Sequence, residues 1–145
     1  MLKFFRSLVQ EEENPSSNTM LPQLAACALM LEVCWADHDI ADAEMSALRT
    51  TLQSTFDLPP ADIDALIDEA KALHEDAVGL HPYTSIINEH LDAVSKRDIV
   101  FALWRIAYAD NEIAPLEEHM IRRISDLIYV SHKDFIAGKL AARDG

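Results

Sequence analysis

The sequence predicts an all-α protein, a compact single-domain helical bundle of about seven helices built from two pseudo-repeats. Three observations carry this. Only three glycines occur in 145 residues, too few for a turn-rich β fold. Apolar residues recur at helical spacing in one segment after another, and no segment alternates as a half-buried strand would. The chain also matches itself at an offset of 73 residues, which becomes 72 past the second helix of each half. With 50% hydrophobic and 26% charged residues, a chain of this length buries a core without disulfides or structural metal.

In chain order, Leu2, Phe4, Phe5, Leu8 and Val9 make an amphipathic turn, and Glu11–Asn18 (EEENPSSN) reads as a flexible polar linker. Residues 1–19 are thereby set apart from a helical domain over 20–145. A nearly all-apolar helix is expected from about Leu21 to Ala36, with Pro22 in its first turn, where a missing N–H costs nothing. After the polar break 37–41, a helix over about 42–55 turns Met45, Leu48, Leu52 and Phe56 inward. Asp57-Leu58-Pro59-Pro60 stops it, and 61–78 resumes with Ile63, Leu66, Ile67, Ala70 and Leu73 apolar. A short linking helix over 83–91 points Ile86 and Ile87 inward. Ser95 is read as the cap of a helix reaching Ala109, Pro115 opens another to about Tyr129, and Ser131 caps a last one to about Leu140. Repeat one thus covers about 21–78 and repeat two about 95–142.

Charge narrows the function classes. The formal net charge is −13, which excludes nucleic acid as a partner because a phosphate backbone requires a basic face. The excess sits in residues 7–95, with 17 acids against Arg49 and Lys71, while residues 96–145 hold eight of each sign. Such a surface favours cations or basic proteins. Cys27 and Cys34 share a helix face two turns apart, too far for a disulfide, and read as core residues. The longest apolar segment contains Gln23 and Glu32 and is too short for a membrane span, so a cytoplasmic location is expected.

The repeat centres on two acidic loops. Val33–Glu44 (VCWADHDIADAE) falls on Ile106–Glu117 (IAYADNEIAPLE), sharing aromatic-Ala-Asp-x-acid-Ile-Ala-x-x-Glu. In the second half of an EF-hand loop, an Asp at position 5 precedes an Ile at 8 and a Glu at 12. Asp37, Ile40 and Glu44 follow that spacing, as do Asp110, Ile113 and Glu117. One such loop supplies too few oxygens for Ca²⁺, but two brought together would offer Asp37, Glu44, Asp110 and Glu117, with Asp39 and Glu112 at the rim contributing carbonyls. Four carboxylates in close quarters repel unless a divalent cation, Ca²⁺ or Mg²⁺, relieves them. The plainer alternative makes Asp37 and Asp110 capping residues and Glu44 and Glu117 first-turn acids favoured by the helix dipole.

These residues resemble the tellurite-resistance TerB family. The resemblance runs through Trp104–Ile113, Glu117–Ile124, the first acidic loop and Phe135–Leu140, covering about residues 20–142. It implies a compact helical domain with a divalent-cation site at the acidic loops and a role in tellurite or chemical-stress responses. The partner expected for so acidic a chain is a protein, basic or membrane-associated. The family usually carries Gly after the loop Asp, where this chain has His38 and Asn111; Asn tolerates a left-handed backbone, and His38 is a candidate nitrogen ligand.

No motif announces an enzyme: there is no phosphate-binding Gly-rich loop, no G-x-S-x-G and no H-E-x-x-H. The expectation is a non-enzymatic binding module, with an adaptor that docks proteins on its acidic face as the alternative, and a metal-dependent hydrolase behind both. Glu32 interrupts the apolar first helix, and its repeat mate is Arg105, so the two are expected to pair across the pseudo-axis.

Overall fold

The computed structural model describes residues 21–36, 40, 42–76 and 79–144. These residues form seven helices and no strand: α1 (Pro22–Cys34), α2 (Asp42–Phe56), α3 (Pro60–Asp76), α4 (His81–His90), α5 (Ala93–Ala107), α6 (Pro115–Leu127) and α7 (His132–Asp144). The expected amphipathic turn and linker at residues 1–19 lie outside the described residues.

The helix α1 is apolar on nearly every side because nearly every side is covered. Residues 25–31, Val33 and Cys34 are all buried, and α2, α3, α4, α5 and α6 pack around it. Its counterpart α5 buries Ile99, Val100, Leu103, Trp104 and Ile106. Each central helix packs most extensively on the last helix of its own repeat, α1 on α3 and α5 on α7. The middle helices do something different: α2 and α6 each lie across both central helices. The linking helix α4 packs on α1, and Asn88 ties it to α6 by donating from Nδ2 to the Leu127 carbonyl at 3.0 Å.

Starts and stops follow local chemistry. Pro22 and Pro115 occupy first-turn positions of α1 and α6. Ser131 caps α7, its Oγ accepting from the Asp134 N–H at 3.2 Å. The cap of α5 is Asp92 rather than Ser95: the Asp92 carboxylate accepts the Ser95 N–H at 2.9 Å, which makes Ser95 the third helical residue and buries it. That bond holds the Asp92 carboxyl below its ordinary 3.8. At the far end of α6, Tyr129 takes φ 63°, its N–H reaching the Asp126 carbonyl and that of Val130 the Ser125 carbonyl. Asp57, the repeat mate of Tyr129, leaves α2 at φ 54°.

One close approach shapes the second half. A Cβ on Gly138 of α7 would lie 2.8 Å from Trp104 Cδ1 and 3.1 Å from Phe101 Cδ1. Only a glycine lets α7 settle this closely on the two aromatic rings of α5. Trp104 is fully buried there, 5.0 Å from the Phe135 ring centroid.

Candidate functional site

The second acidic loop is built by local backbone bonds. The chain leaves α5 at Tyr108 (φ −90°, ψ 8°), and the Ala109 N–H donates back to the Ile106 carbonyl at 3.2 Å. Asp110 is exposed, and its Oδ1 accepts the Glu112 N–H at 3.2 Å in an Asx turn. Between them Asn111 takes φ 66°, the left-handed conformation that its short polar side chain tolerates. Glu117 then reaches back from the third position of α6, its Oε1 accepting the Ala114 N–H at 3.0 Å. This is half of a capping box, because Ala114 has no side-chain oxygen to return the bond. Glu117 is only 3% exposed.

The first loop begins identically. Trp35 closes α1 at φ −87°, ψ 0°, and the Ala36 N–H donates to the Val33 carbonyl at 3.2 Å. Glu44 occupies the position equivalent to Glu117 and is likewise 3% exposed. Asp37 and Asp39, with His38 between them, lie outside the described residues. Among the described residues, no three His, Cys, Asp or Glu side chains converge into a group able to hold a metal ion. Glu44, Asp110, Glu112 and Glu117 therefore do not by themselves fit a Ca²⁺ or Mg²⁺ centre of six to eight oxygens. In the second loop, one oxygen each of Asp110 and Glu117 is already committed to a backbone N–H.

Beside each loop lies a cleft, and the two clefts are repeat mates. The first, of about 530 Å³, is lined by Glu32, Trp35, Ala36, His74 and Met120. It continues into a smaller space where Glu32 and His74 meet Arg123. The second, of about 480 Å³, is lined on one side by Arg105 and Ala109, the mates of Glu32 and Ala36, and on the other by α2, including Ala47, the mate of Met120.

The pairing expected between Glu32 and Arg105 is not made. Glu32 Oε1 instead lies 2.6 Å from His74 Nδ1, and Trp35 packs against that imidazole at 4.2 Å between centroids, the rings tilted by 35°. Because α2 and α6 each lie across both central helices, Glu32 and Arg105 line different clefts, each beside the other repeat's middle helix. His74 sits in the last two turns of α3, 42 residues from its partner, so no spacing rule advertised the contact. Burial pushes the nearby Tyr83 phenol above its ordinary 10.0, and the charge of Glu32 adds to the effect.

A smaller space of about 230 Å³ between α1 and α3 completes the acidic side. Leu24, Leu58 and Leu66 line it, with Asp62 and Glu69 beside them two helical turns apart on one face of α3. Asp62, Asp68, Glu69 and Glu75 are all exposed, and none forms an ion pair among the described residues; Asp64 pairs with Arg49.

Duplicated helix–loop–helix units around two central helices, with an acidic loop in each, define a class of all-helical paired-repeat domains. A family model described as "Tellurite resistance protein TerB" matches residues 23–140, most of the chain, and the chain belongs to that family. Searches of curated proteins and of solved structures returned no match. None of the described helices is long and apolar enough to cross a membrane.

Proposed function

We propose that this chain is a non-enzymatic, cytoplasmic binding module of a tellurite or chemical-stress response, and that it works by docking a basic protein segment on its acidic face. The observation that carries the reading is the α1–α3 space: an aliphatic lining of Leu24, Leu58 and Leu66 beside Asp62 and Glu69. A lysine or arginine would lay its methylene stem on the leucines and its charged head between the carboxylates. Asp68 and Glu75 add negative charge on the solvent side of α3, about a third of a turn round the helix. In this reading the loop acids Asp110 and Glu117 serve the backbone, which matches their hydrogen bonds.

The test is calorimetric titration with an oligolysine peptide at low salt. Asp62→Asn with Glu69→Gln is expected to weaken binding at least tenfold, while Asp126→Asn with Asp144→Asn changes it little. Equal effects from both pairs would reduce the interaction to net charge and sink the reading. A second reading, a Ca²⁺ or Mg²⁺ site at the loops that includes Asp37 and Asp39, is favoured by the burial of both Glu44 and Glu117. Chelator-stripped protein would then show saturable heat with Ca²⁺ or Mg²⁺ and a raised Tm, both lost in Glu44→Gln with Glu117→Gln. Flat traces at millimolar metal would remove it.

A further inference from the structure

The two mate clefts differ in one respect that points to a ligand. In the first, charges of both signs are present: Glu32 faces His74 at 2.6 Å and shares the adjoining space with Arg123. In the second, Arg105 is the only charged residue in the described lining. Its guanidinium forms no ion pair or hydrogen bond among the described residues, in a chain of net charge −13. Most other arginines are engaged: Arg49 with Asp64, Arg97 with Asp134, Arg143 with Asp144, and Arg122 over the Phe135 ring.

The wall opposite Arg105 is a face of α2 carrying four hydroxyls, Ser46, Thr50, Thr51 and Ser54. Ser54 donates to the Thr51 carbonyl, so Ser46, Thr50 and Thr51 are the hydroxyls whose O–H remains available to an acceptor. The remaining described lining is alanine: Ala43 and Ala47 on α2, and Ala109 after α5. Met120 lines the first cleft at the position that Ala47 takes in the second.

We propose that this second cleft binds the carboxylate of a small organic acid, with Arg105 holding the anion through its planar fork and the α2 hydroxyls completing its hydrogen bonds. One fixed positive charge matches one negative charge. A dianion such as phosphate would keep an unneutralised charge against the surrounding acidic surface. A space of about 480 Å³ exceeds what a bare carboxylate fills, so the ligand carries an organic body that rests on the alanines.

The experiment is an NMR titration of isotope-labelled full chain with sodium propionate, using propionamide as the neutral isostere and inorganic phosphate as the competing anion. Saturable shifts confined to residues 43–54 and 105–109 are expected with propionate and not with propionamide. Arg105→Gln should weaken binding at least tenfold, Arg105→Lys should weaken it less, and Arg123→Gln should leave it unchanged. Arg105 is exposed, so its variants keep the wild-type melting temperature. Equal shifts with propionamide, retained binding in Arg105→Gln, or a preference for phosphate would each overturn the proposal. If an acetylated, amidated Ala-Glu-Ala tripeptide outcompetes propionate at the same residues, the carboxylate comes from a polypeptide and the small-acid assignment falls.

Discussion

Repeat one (α1–α3) and repeat two (α5–α7) turn at the same places. Trp35 and Tyr108 end the central helices at φ −87° and −90°, and Asp57 and Tyr129 leave the middle helices at φ 54° and 63°. Side-chain bulk, by contrast, is distributed in opposite ways. In repeat one the central helix is small where the third helix is large: Ala28 and Leu31 on α1, Leu66 at the matching place on α3. In repeat two Phe101 and Trp104 take the central positions and Gly138 takes the place of Leu66. A shared backbone is therefore compatible with two different interlocking solutions, because packing density is conserved rather than residue identity.

The largest expected effect tests the repeat-one solution. Leu66→Ala removes a buried side chain that repeat two does without, and about 2–5 kcal/mol of stability should be lost in denaturant titration. If the loss is under about 1 kcal/mol, Leu66 is not the counterpart of the Trp104 contact.

Next comes a pH effect confined to one repeat. Burial pushes the Cys27 thiol up from 9.0 to about 12, whereas its mate is Val100. The neutral thiol favours the native state fully below 9.0; above that value the unfolded thiol ionises and the native one cannot. Stability should fall by about 1.4 kcal/mol per pH unit until the folded value is reached. Cys27→Val should remove that part of the alkaline slope, and an unchanged slope would assign the loss to other groups.

Gly138→Ala tests the other solution. The added methyl meets Trp104, and overpacking of about 1–3 kcal/mol should outweigh the roughly 1 kcal/mol gained in helix propensity. A stabilised variant would mean that α7 can back away from α5 at little cost. Glu117→Ala should cost about 1 kcal/mol through the lost bond to the Ala114 N–H, and Glu117→Gln, which keeps an acceptor, clearly less. The smallest change is favourable: Tyr129→Gly should add about 0.5–1 kcal/mol by relieving the left-handed residue, whereas Asp57→Gly should add less, because a short polar side chain tolerates that backbone better. An equal gain at both would show that residue type matters little at these exits.

Much of this architecture was legible in the sequence because it rests on local signals. Pro22, Pro115 and Ser131 mark helix starts, and the paired Ala-Asp loops mark the repeat. Ser95 misled because two candidate caps lie three residues apart, and the earlier one, Asp92, accepts the later one's N–H. What lay beyond local reading was tertiary. Nothing near Glu32 in sequence points to His74, and the repeat symmetry suggested Arg105 by assuming that mates meet at the axis. The burial of Glu44 and Glu117 is likewise a property of the folded chain, while the sequence shows only acids near a helix start.

The bridging of both central helices by α2 and α6 has a consequence for how the chain is made. Until α6 has been synthesised, α1 lacks one of the helices that cover it, and it is apolar on almost every side. Translation from Cys34 to Leu127 takes roughly 5–20 s at ordinary ribosomal speeds. For that interval the first half of the nascent chain carries an apolar helix whose final cover has yet to be made, so the last step of burying it waits on the second repeat.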